Sequence, residues 1–133
     1  MQIFYEQSAK PELLKGKIIA MVGYGSQGHA QAQNLRDSGY TVVVALDPRR
    51  GSAKQAAADG FEVLPVPEAV KKADFVQILV PDEHHRKLFE NEIKPNLKPN
   101  AIISVSHGFS IHFKQIVPPA TNDVVMIAPK GPG

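Results

Sequence analysis

The chain contains no cysteine and no tryptophan, and it has no apolar run of membrane-spanning length. Without cysteine, disulfides and thiolate chemistry are excluded. The N-terminus lacks a signal-peptide core. The adjacent basic residues, at 49–50 and 71–72, are isolated pairs, so a nucleic-acid groove is not indicated. We therefore expect a cytoplasmic protein that has neither nucleic acid nor a membrane as a partner.

The composition is that of an ordinary globular protein. Of the 133 residues, 43% are hydrophobic and 21% are charged, and the formal net charge is +2. A chain of this length can bury a core as one domain. We expect a single domain over residues 1–133.

A glycine-rich turn follows the first apolar run. The run covers residues 18–22, and the glycines Gly23, Gly25 and Gly28 have the G-x-G-x-x-G spacing of a dinucleotide-binding fingerprint. Gly23 suits the tight turn, Gly25 lets the backbone approach a pyrophosphate, and Gly28 lets a helix pack close to the sheet. A helix-compatible segment follows, and the unpaired N–H groups at its start would face the phosphates.

Apolar runs alternate with helix-compatible segments along the whole chain. Val, Ile and Leu dominate these runs, as expected of parallel strands that are buried on both faces. The runs cover residues 18–22, 41–46, 75–80, 101–105 and 124–128, with a weaker one at 62–64. This pattern predicts an α/β protein of the Rossmann type, doubly wound, with a mostly parallel sheet and helices on both faces.

Helix boundaries are marked by caps and breakers. Gly39 is predicted to end the first helix, and Ser52 to cap a helix over residues 53–59 that Gly60 closes. A helix over residues 83–92 is predicted to end at Pro95.

Polar residues follow each apolar run, at 23–27, 47–52, 81–85, 106–108 and 129–131. Ligands of open parallel sheets bind beyond the carboxyl ends of the strands. We therefore expect these segments to converge on one binding edge.

The segment after the second run bears on the choice of cofactor. Asp47 lies about 20 residues after Gly28, which suits a carboxylate on the adenosine ribose hydroxyls and favours NAD. Arg49, Arg50 and Ser52 instead suit a 2′-phosphate, unless the arginines are simply solvated. We predict NADP as the cofactor, with NAD possible.

Two residues are candidates for chemistry. His107 directly follows a predicted buried strand, and a histidine there is suited to proton transfer or to binding a charged substrate. Lys130 suits anion binding. The alternatives are a structural histidine and a surface lysine.

The segment after the third run is not predicted to bind metal. His84 and His85 are adjacent, so on a helix they diverge by about 100° and make a poor chelating pair. Asp82 and Glu83 fit a cofactor-lining or helix-capping role better than metal ligation.

Five motifs, in order, carry a resemblance that covers essentially the whole chain: G-Y-G-S-Q-G-H-A, L-V-P-D-E, S-H-G-F-S-I-H-F, I-V-P-P-A and A-P-K-G-P-G. Together they resemble the N-terminal domain of ketol-acid reductoisomerase. The resemblance implies an NAD(P)-dependent oxidoreductase of branched-chain amino-acid biosynthesis. Its reaction joins a Mg²⁺-dependent alkyl migration in a 2-acetohydroxy acid substrate to reduction by NAD(P)H.

The resemblance also assigns roles by position. It implies pyrophosphate contacts for Tyr24, Gly25, Ser26 and Gln27, adenosine 2′ contacts for Arg49 or Arg50 with Ser52, and cofactor-lining positions for Asp82, Glu83, His84 and His85. It further implies an active-site role for His107, proximity to substrate for Lys130, and a cofactor contact for Gly133. The adenosine loop departs from the commoner family pattern, which has Arg where Asp47 stands.

In the family, the acidic Mg²⁺ ligands lie in a helical C-terminal domain, which is not part of this sequence. We therefore expect this chain alone to bind the nucleotide and to turn over little or no ketol acid. An exposed sheet edge would favour a homo-oligomer. The alternatives are a stand-alone NAD(P)-binding regulatory module and another Rossmann hydroxyacid reductase.

Overall fold

A computed structural model describes residues 1–130 of the chain, and the predicted contact residue Gly133 lies outside them. The strands are β1 (Ile18–Val22), β2 (Thr41–Ala45), β3 (Glu62–Leu64), β4 (Phe75–Ile78), β5 (Ile102–Val105) and β6 (Val124–Met126). They form one sheet of order β3-β2-β1-β4-β5-β6, in which every pairing is parallel.

Helices connect the strands. They are α1 (Ser26–Asp37), α2 (Gly51–Ala58), α3 (Val66–Lys72), α4 (Asp82–Leu88) and α5 (Phe109–His112). A π-helical turn, Phe89–Ile93, extends α4, and 3₁₀ turns occur at Glu6–Ser8, Pro11–Leu14 and Lys94–Asn96.

Successive residues of β1 face opposite sides of the sheet, because side chains alternate along a strand. Ile19 and Met21 belong to one buried cluster, and Ala20 and Val22 belong to the other. The first cluster packs under α1 and α2, and the second under α3 and the π-helical turn. The predicted doubly wound Rossmann-type fold is confirmed.

Two predictions about helices are wrong in detail. Ser52 does not cap α2, since Arg50 is the N-cap residue and accepts the first helical hydrogen bond from Ala53 N–H at 3.0 Å. The predicted helix over 83–92 is instead α4 plus the π-helical turn. The chain ends this helix in a 3₁₀ turn because Pro95 has no N–H to donate.

The strands β2, β4, β5 and β6 are shorter than their apolar runs, whereas β1 and β3 match theirs. β4 ends at Ile78 and β6 at Met126, although apolar residues continue to 80 and 128. The remaining apolar residues form the loops at the sheet edge. No helix within residues 1–130 is long and apolar enough to cross a bilayer.

Candidate functional site

A cleft of about 710 Å³ opens at the carboxyl ends of the strands. The predicted site residues on its wall are Gly23, Tyr24, Gly25, Ser26, Gln27, Asp47, Arg50, Ser52, Asp82, His84, His85 and His107. The topology explains this convergence, because parallel strands bring all of their carboxyl-end loops to one edge.

The three fingerprint glycines are needed for different reasons. Gly23 has φ +105°, and a Cβ there would lie 3.1 Å from Val80 Cγ1. A Cβ on Gly28 would lie only 2.4 Å from the carbonyl oxygen of Gly23, so α1 can approach the turn this closely only without a side chain. A Cβ on Gly25 would meet nothing within 4 Å, so that position opens onto free space.

The start of α1 presents backbone donors to the cleft. Gly25 is the N-cap residue and has no side chain to accept the N–H groups of the first turn, which also contains no acidic residue. The positive end of the helix dipole and the backbone donors at a helix start favour an anion there. Ser26 and Gln27, in this first turn, lie on the cleft wall.

Asp47 and Arg49 are joined to each other. Arg49 Nη2 donates to Asp47 Oδ2 at 2.7 Å, and Arg49 Nε donates to Oδ1 at 2.9 Å. The Arg49 backbone N–H adds a bond to Oδ1 at 3.0 Å. These bonds lower the pKa of the Asp47 carboxyl well below its usual range, with the Arg49 side chain as the largest cause.

The residues predicted to select the cofactor therefore lie close together, in the loop after β2 and the first turn of α2. Arg50 and Ser52 lie on the cleft wall, whereas the Arg49 side chain is 89% exposed and points its fork at Asp47. The loop and the first turn of α2 thus offer the Asp47 carboxylate, the Ser52 hydroxyl and the Arg50 guanidinium to one end of the cleft.

At the other end of the cleft, the Asp82 carboxylate lies between two imidazoles. Its Oδ2 is 3.5 Å from His107 Nδ1, and its Oδ1 is 3.6 Å from His85 Nδ1. His107 Nδ1 accepts the Phe109 backbone N–H at 3.2 Å, which leaves the proton of the neutral ring on Nε2. The His107 ring is mostly exposed and available to a ligand.

His85 is held by the protein on both ring nitrogens. Its Nε2 donates to the Val80 carbonyl at 2.7 Å, and its Nδ1 then accepts the Ser110 hydroxyl at 2.7 Å. Both His85 and Ser110 are buried. The ring therefore ties α4 to α5 behind the cleft, and its nitrogens are engaged there.

The structure does not bring every predicted residue to the cleft wall. Glu83 is exposed on α4, and Lys130 is exposed beyond β6. Gly28 is not on the cleft wall but packs closely against Gly23, which is.

Residues 1–130 contain no grouping of three His, Asp or Glu side chains suited to a metal ion. These residues therefore do not fit a Mg²⁺ site.

Sequence reasoning missed Asp59. Its carboxylate accepts a hydrogen bond from the Tyr24 hydroxyl at 2.8 Å, behind the glycine-rich turn. Burial, followed by this bond, raises the pKa of Tyr24 above its usual range. The sequence gives no signal for the contact except that Asp59 sits at a helix end, because the two residues are far apart along the chain.

The chain matches a family model described as acetohydroxy acid isomeroreductase, NADPH-binding domain, over residues 13–133. It is 47% identical to an NADH-preferring ketol-acid reductoisomerase from an uncultured archean, with a TM-score of 0.93. That match covers 100% of this chain and 42% of the archaeal one, so the chain spans less than half the length of this relative.

More distant structures share the fold. Mycobacterium tuberculosis 3-hydroxyisobutyrate dehydrogenase is 24% identical, with a TM-score of 0.65 over 81% of this chain and 38% of its own. A semialdehyde dehydrogenase NAD-binding protein from Cupriavidus necator is 23% identical, with a TM-score of 0.70 over 81% of this chain and 39% of its own. On the family match and the 47% identity, the chain belongs to the acetohydroxy acid isomeroreductase family, through its NADPH-binding domain.

Proposed function

We propose that the chain binds a nicotinamide dinucleotide and forms the cofactor-binding part of a ketol-acid reductoisomerase. The observation that carries the proposal is the start of α1, where a glycine N-cap without a side-chain acceptor and the positive end of the helix dipole lie beside open space at Gly25. The cofactor diphosphate fits this position.

The remaining cleft residues fit the two ends of the dinucleotide. Arg50 and Ser52 would bind the adenosine 2′ substituent, and Asp82 with His84 would line the path toward the nicotinamide. NADP(H) is the proposed cofactor, as the family name supports, and the carboxylate of Asp47 provides a means of binding NAD(H) as well.

The proposed reaction of the whole protein starts from a 2-acetohydroxy acid, a small-molecule substrate. A bound nicotinamide would supply the hydride that reduces the ketone after alkyl migration, and the carbonyl oxygen would gain a proton to give a 2,3-dihydroxy acid. His107 is exposed at the nicotinamide end of the cleft and is our candidate for binding substrate or moving that proton, with Lys130 as a further candidate. We place this reaction in branched-chain amino-acid biosynthesis, in the cytoplasm.

No step of the alkyl migration is assigned to this chain. Mg²⁺ would have to be bound by residues outside 1–130, since those residues provide no ligand set. The isolated chain should therefore bind cofactor without completing the reaction.

Binding and turnover assays on the isolated chain test whether it binds the cofactor without completing the reaction. We expect titration with NADPH or NADH to raise its thermal unfolding midpoint, because a ligand that binds only the folded state stabilises it. With acetolactate, Mg²⁺ and NADPH, we expect little or no oxidation of NADPH. Turnover close to that of a full-length reductoisomerase would contradict the proposal, and failure of both nucleotides to bind would contradict cofactor binding itself.

A further inference from the structure

One carboxylate ties the glycine-rich turn to helix α2. Asp59, the C-cap residue of α2, accepts the Tyr24 hydroxyl on Oδ2 at 2.8 Å and the Gln55 side-chain amide on Oδ1 at 2.9 Å. His29 Nε2 lies 3.4 Å from the same Oδ2. Both carboxylate oxygens are thus engaged, and groups from the turn, α1 and α2 meet at this side chain.

The backbone of Asp59 is also held. Arg36 Nη1, from the end of α1, donates to the Asp59 carbonyl at 2.5 Å. The Arg36 guanidinium stacks 4.6 Å from the centre of the Phe61 ring. Both the backbone and the side chain of Asp59 are therefore held in place, so its carboxylate is well positioned to accept the Tyr24 hydroxyl.

Tyr24 is the residue through which this contact reaches the cleft. It lies between Gly23 and Gly25, so its side chain is the only one within residues 23–25. The ring is 94% buried, edge-on against Phe61 and His29, with centroid distances of 5.9 and 5.4 Å. Its backbone lines the cleft while its hydroxyl points to Asp59.

A turn made of two glycines is conformationally free unless something fixes it. Gly loses more backbone entropy on ordering than any other residue, and a ligand that must order a loop binds more weakly. A side chain held between the two glycines removes that freedom before the ligand arrives.

We propose that Asp59 is a positioning residue for dinucleotide binding: it holds Tyr24, and through Tyr24 it sets the backbone of the turn against which the diphosphate lies. This inference rests on the proposed cofactor-binding function. Neither the Asp59 carboxylate nor the Tyr24 hydroxyl need touch the ligand. Helix α2 thereby connects two parts of the proposed cofactor site. Ser52, in its first turn, lines the cleft, and Asp59, its C-cap residue, holds the glycine-rich turn.

A double-mutant cycle on nucleotide affinity tests the proposal. The variants are Tyr24→Phe, Asp59→Ala and the two combined, and the probe is whichever of NADPH or NADH binds the wild-type chain more tightly. We expect each single change to raise Kd about five- to tenfold, which is less than the full loss of a bond to a charged group because the contact reaches the ligand only through the turn. The Kd of the double variant should be no higher than that of the single variant with the higher Kd, because both changes remove the same contact.

Matched controls remove the same chemical groups elsewhere on the protein. Tyr40→Phe removes a tyrosine hydroxyl with only a long contact to Pro11, at 3.4 Å, and Asp37→Ala removes an exposed carboxylate at the end of α1. Both controls should leave Kd within about twofold of the wild-type value. Urea unfolding of every variant shows that each is folded during the titration.

A purely structural role gives a different result. The single variants would then unfold at lower urea but bind with unchanged Kd, and this outcome would overturn the proposal. Additive losses in the double variant would also overturn it. If Asp59→Ala does not fold, the Kd of Tyr24→Phe by itself tests the proposal, because this change deletes one oxygen and keeps the packed ring. A wild-type chain that binds neither nucleotide would instead defeat the proposed function.

Discussion

At the residue scale, Gly25 and Gly28 are three positions apart, and a side chain is excluded from each for a different reason. Gly25 opens onto the cleft, and Gly28 touches the carbonyl of Gly23. The first glycine leaves room for a ligand, and the second leaves room for the protein. Substitution by alanine should separate these two requirements.

We expect Gly25→Ala to change the free energy of unfolding by less than about 1 kcal/mol, because its Cβ meets nothing. Its affinity for NADPH should fall at least about tenfold, since the methyl group would stand where the diphosphate approaches. Gly28→Ala should lower the free energy of unfolding by about 1–3 kcal/mol through overpacking. Urea unfolding and fluorescence titration measure the two effects.

Gly51→Ala is the matched control, since a Cβ there also meets nothing within 4 Å. It should leave both affinity and stability near the wild-type values. Wild-type affinity in Gly25→Ala would contradict the diphosphate position.

The bond between Asp47 and Arg49 should set the preference between the two nucleotides. Asp47→Ala removes a carboxylate that repels a 2′-phosphate and frees the Arg49 fork, so we expect the affinity ratio of NADPH to NADH to rise about three- to fivefold. Arg49→Ala leaves the carboxylate without its partner and should lower the same ratio. Titration of each variant with both nucleotides measures it.

If both substitutions shift the ratio in the same direction, the charge argument is wrong. The preference should also weaken at high salt, because Asp47 and Arg49 are exposed and screened.

The sequence predicts the tight turn at Gly23 and the close packing at Gly28, because both follow from spacing and from the strand before them. It does not predict that Arg49 would bind Asp47, since two opposite charges two residues apart have many solvated alternatives. It also fails to predict the internal bonds of His85. Those bonds depend on Ser110, which only the fold brings near.

At the element scale, the start of β1 is held by a carboxylate. Asp74 Oδ2 accepts the Ile18 backbone N–H at 3.0 Å, and Lys98 Nζ donates to Oδ1 at 3.2 Å. The bond from Ile18, as the largest cause, lowers the pKa of Asp74 below its usual range. This side chain joins the entry points of β1 and β4 in the centre of the sheet.

We expect Asp74→Ala to lower the free energy of unfolding by about 1–3 kcal/mol, because the Ile18 N–H loses a charged acceptor. The folded-state pKa is depressed, so this stabilisation is present above the unfolded-state value of about 4 and is lost as the pH falls through the folded pKa. The difference between wild type and variant should therefore shrink below about pH 4. Urea unfolding at several pH values measures it.

Asp37→Ala serves as the control, since Asp37 is an exposed carboxylate with one neighbouring arginine. A difference for Asp74→Ala that stays constant from pH 7 to about pH 3 would contradict the assignment.

The order and type of the elements could be predicted from the alternation of apolar runs and helical segments. Buried parallel strands have continuous apolar sequences, whereas the short edge strand β3, which has no buried residue, gives only a weak signal. Strand ends could not be placed, because apolar loop residues such as Leu79 and Val80 also pack against the sheet. The π-helical turn after α4 has no distinct sequence signal.

At the scale of the whole molecule, several large apolar side chains are exposed on α5, on the segment after it, and on β6 with the residue that follows. They are Phe109, Phe113, Val117, Met126 and Ile127, with Phe113, Met126 and Ile127 each more than half exposed. β6 pairs only with β5 among residues 1–130, so its other edge also has unpaired backbone groups. Such patches and edges favour association.

We expect the isolated chain to self-associate reversibly as its concentration rises, which sedimentation velocity detects. Phe113→Ser combined with Met126→Ser should weaken this association several-fold, because it removes two exposed apolar side chains. Leu13→Ser, at an exposed leucine 68% accessible elsewhere on the surface, is the control and should leave it unchanged. A chain that stays monomeric at all concentrations would contradict the prediction.

The entirely parallel sheet has a consequence for how quickly the native state is reached. No strand pair can be closed by a hairpin, and the central pairing joins segments 56 residues apart along the chain. Bringing such distant segments together costs chain entropy before the stabilising contacts form. Refolding should therefore take milliseconds to seconds, rather than the microseconds typical of helical bundles. Stopped-flow refolding from urea would show this rate directly.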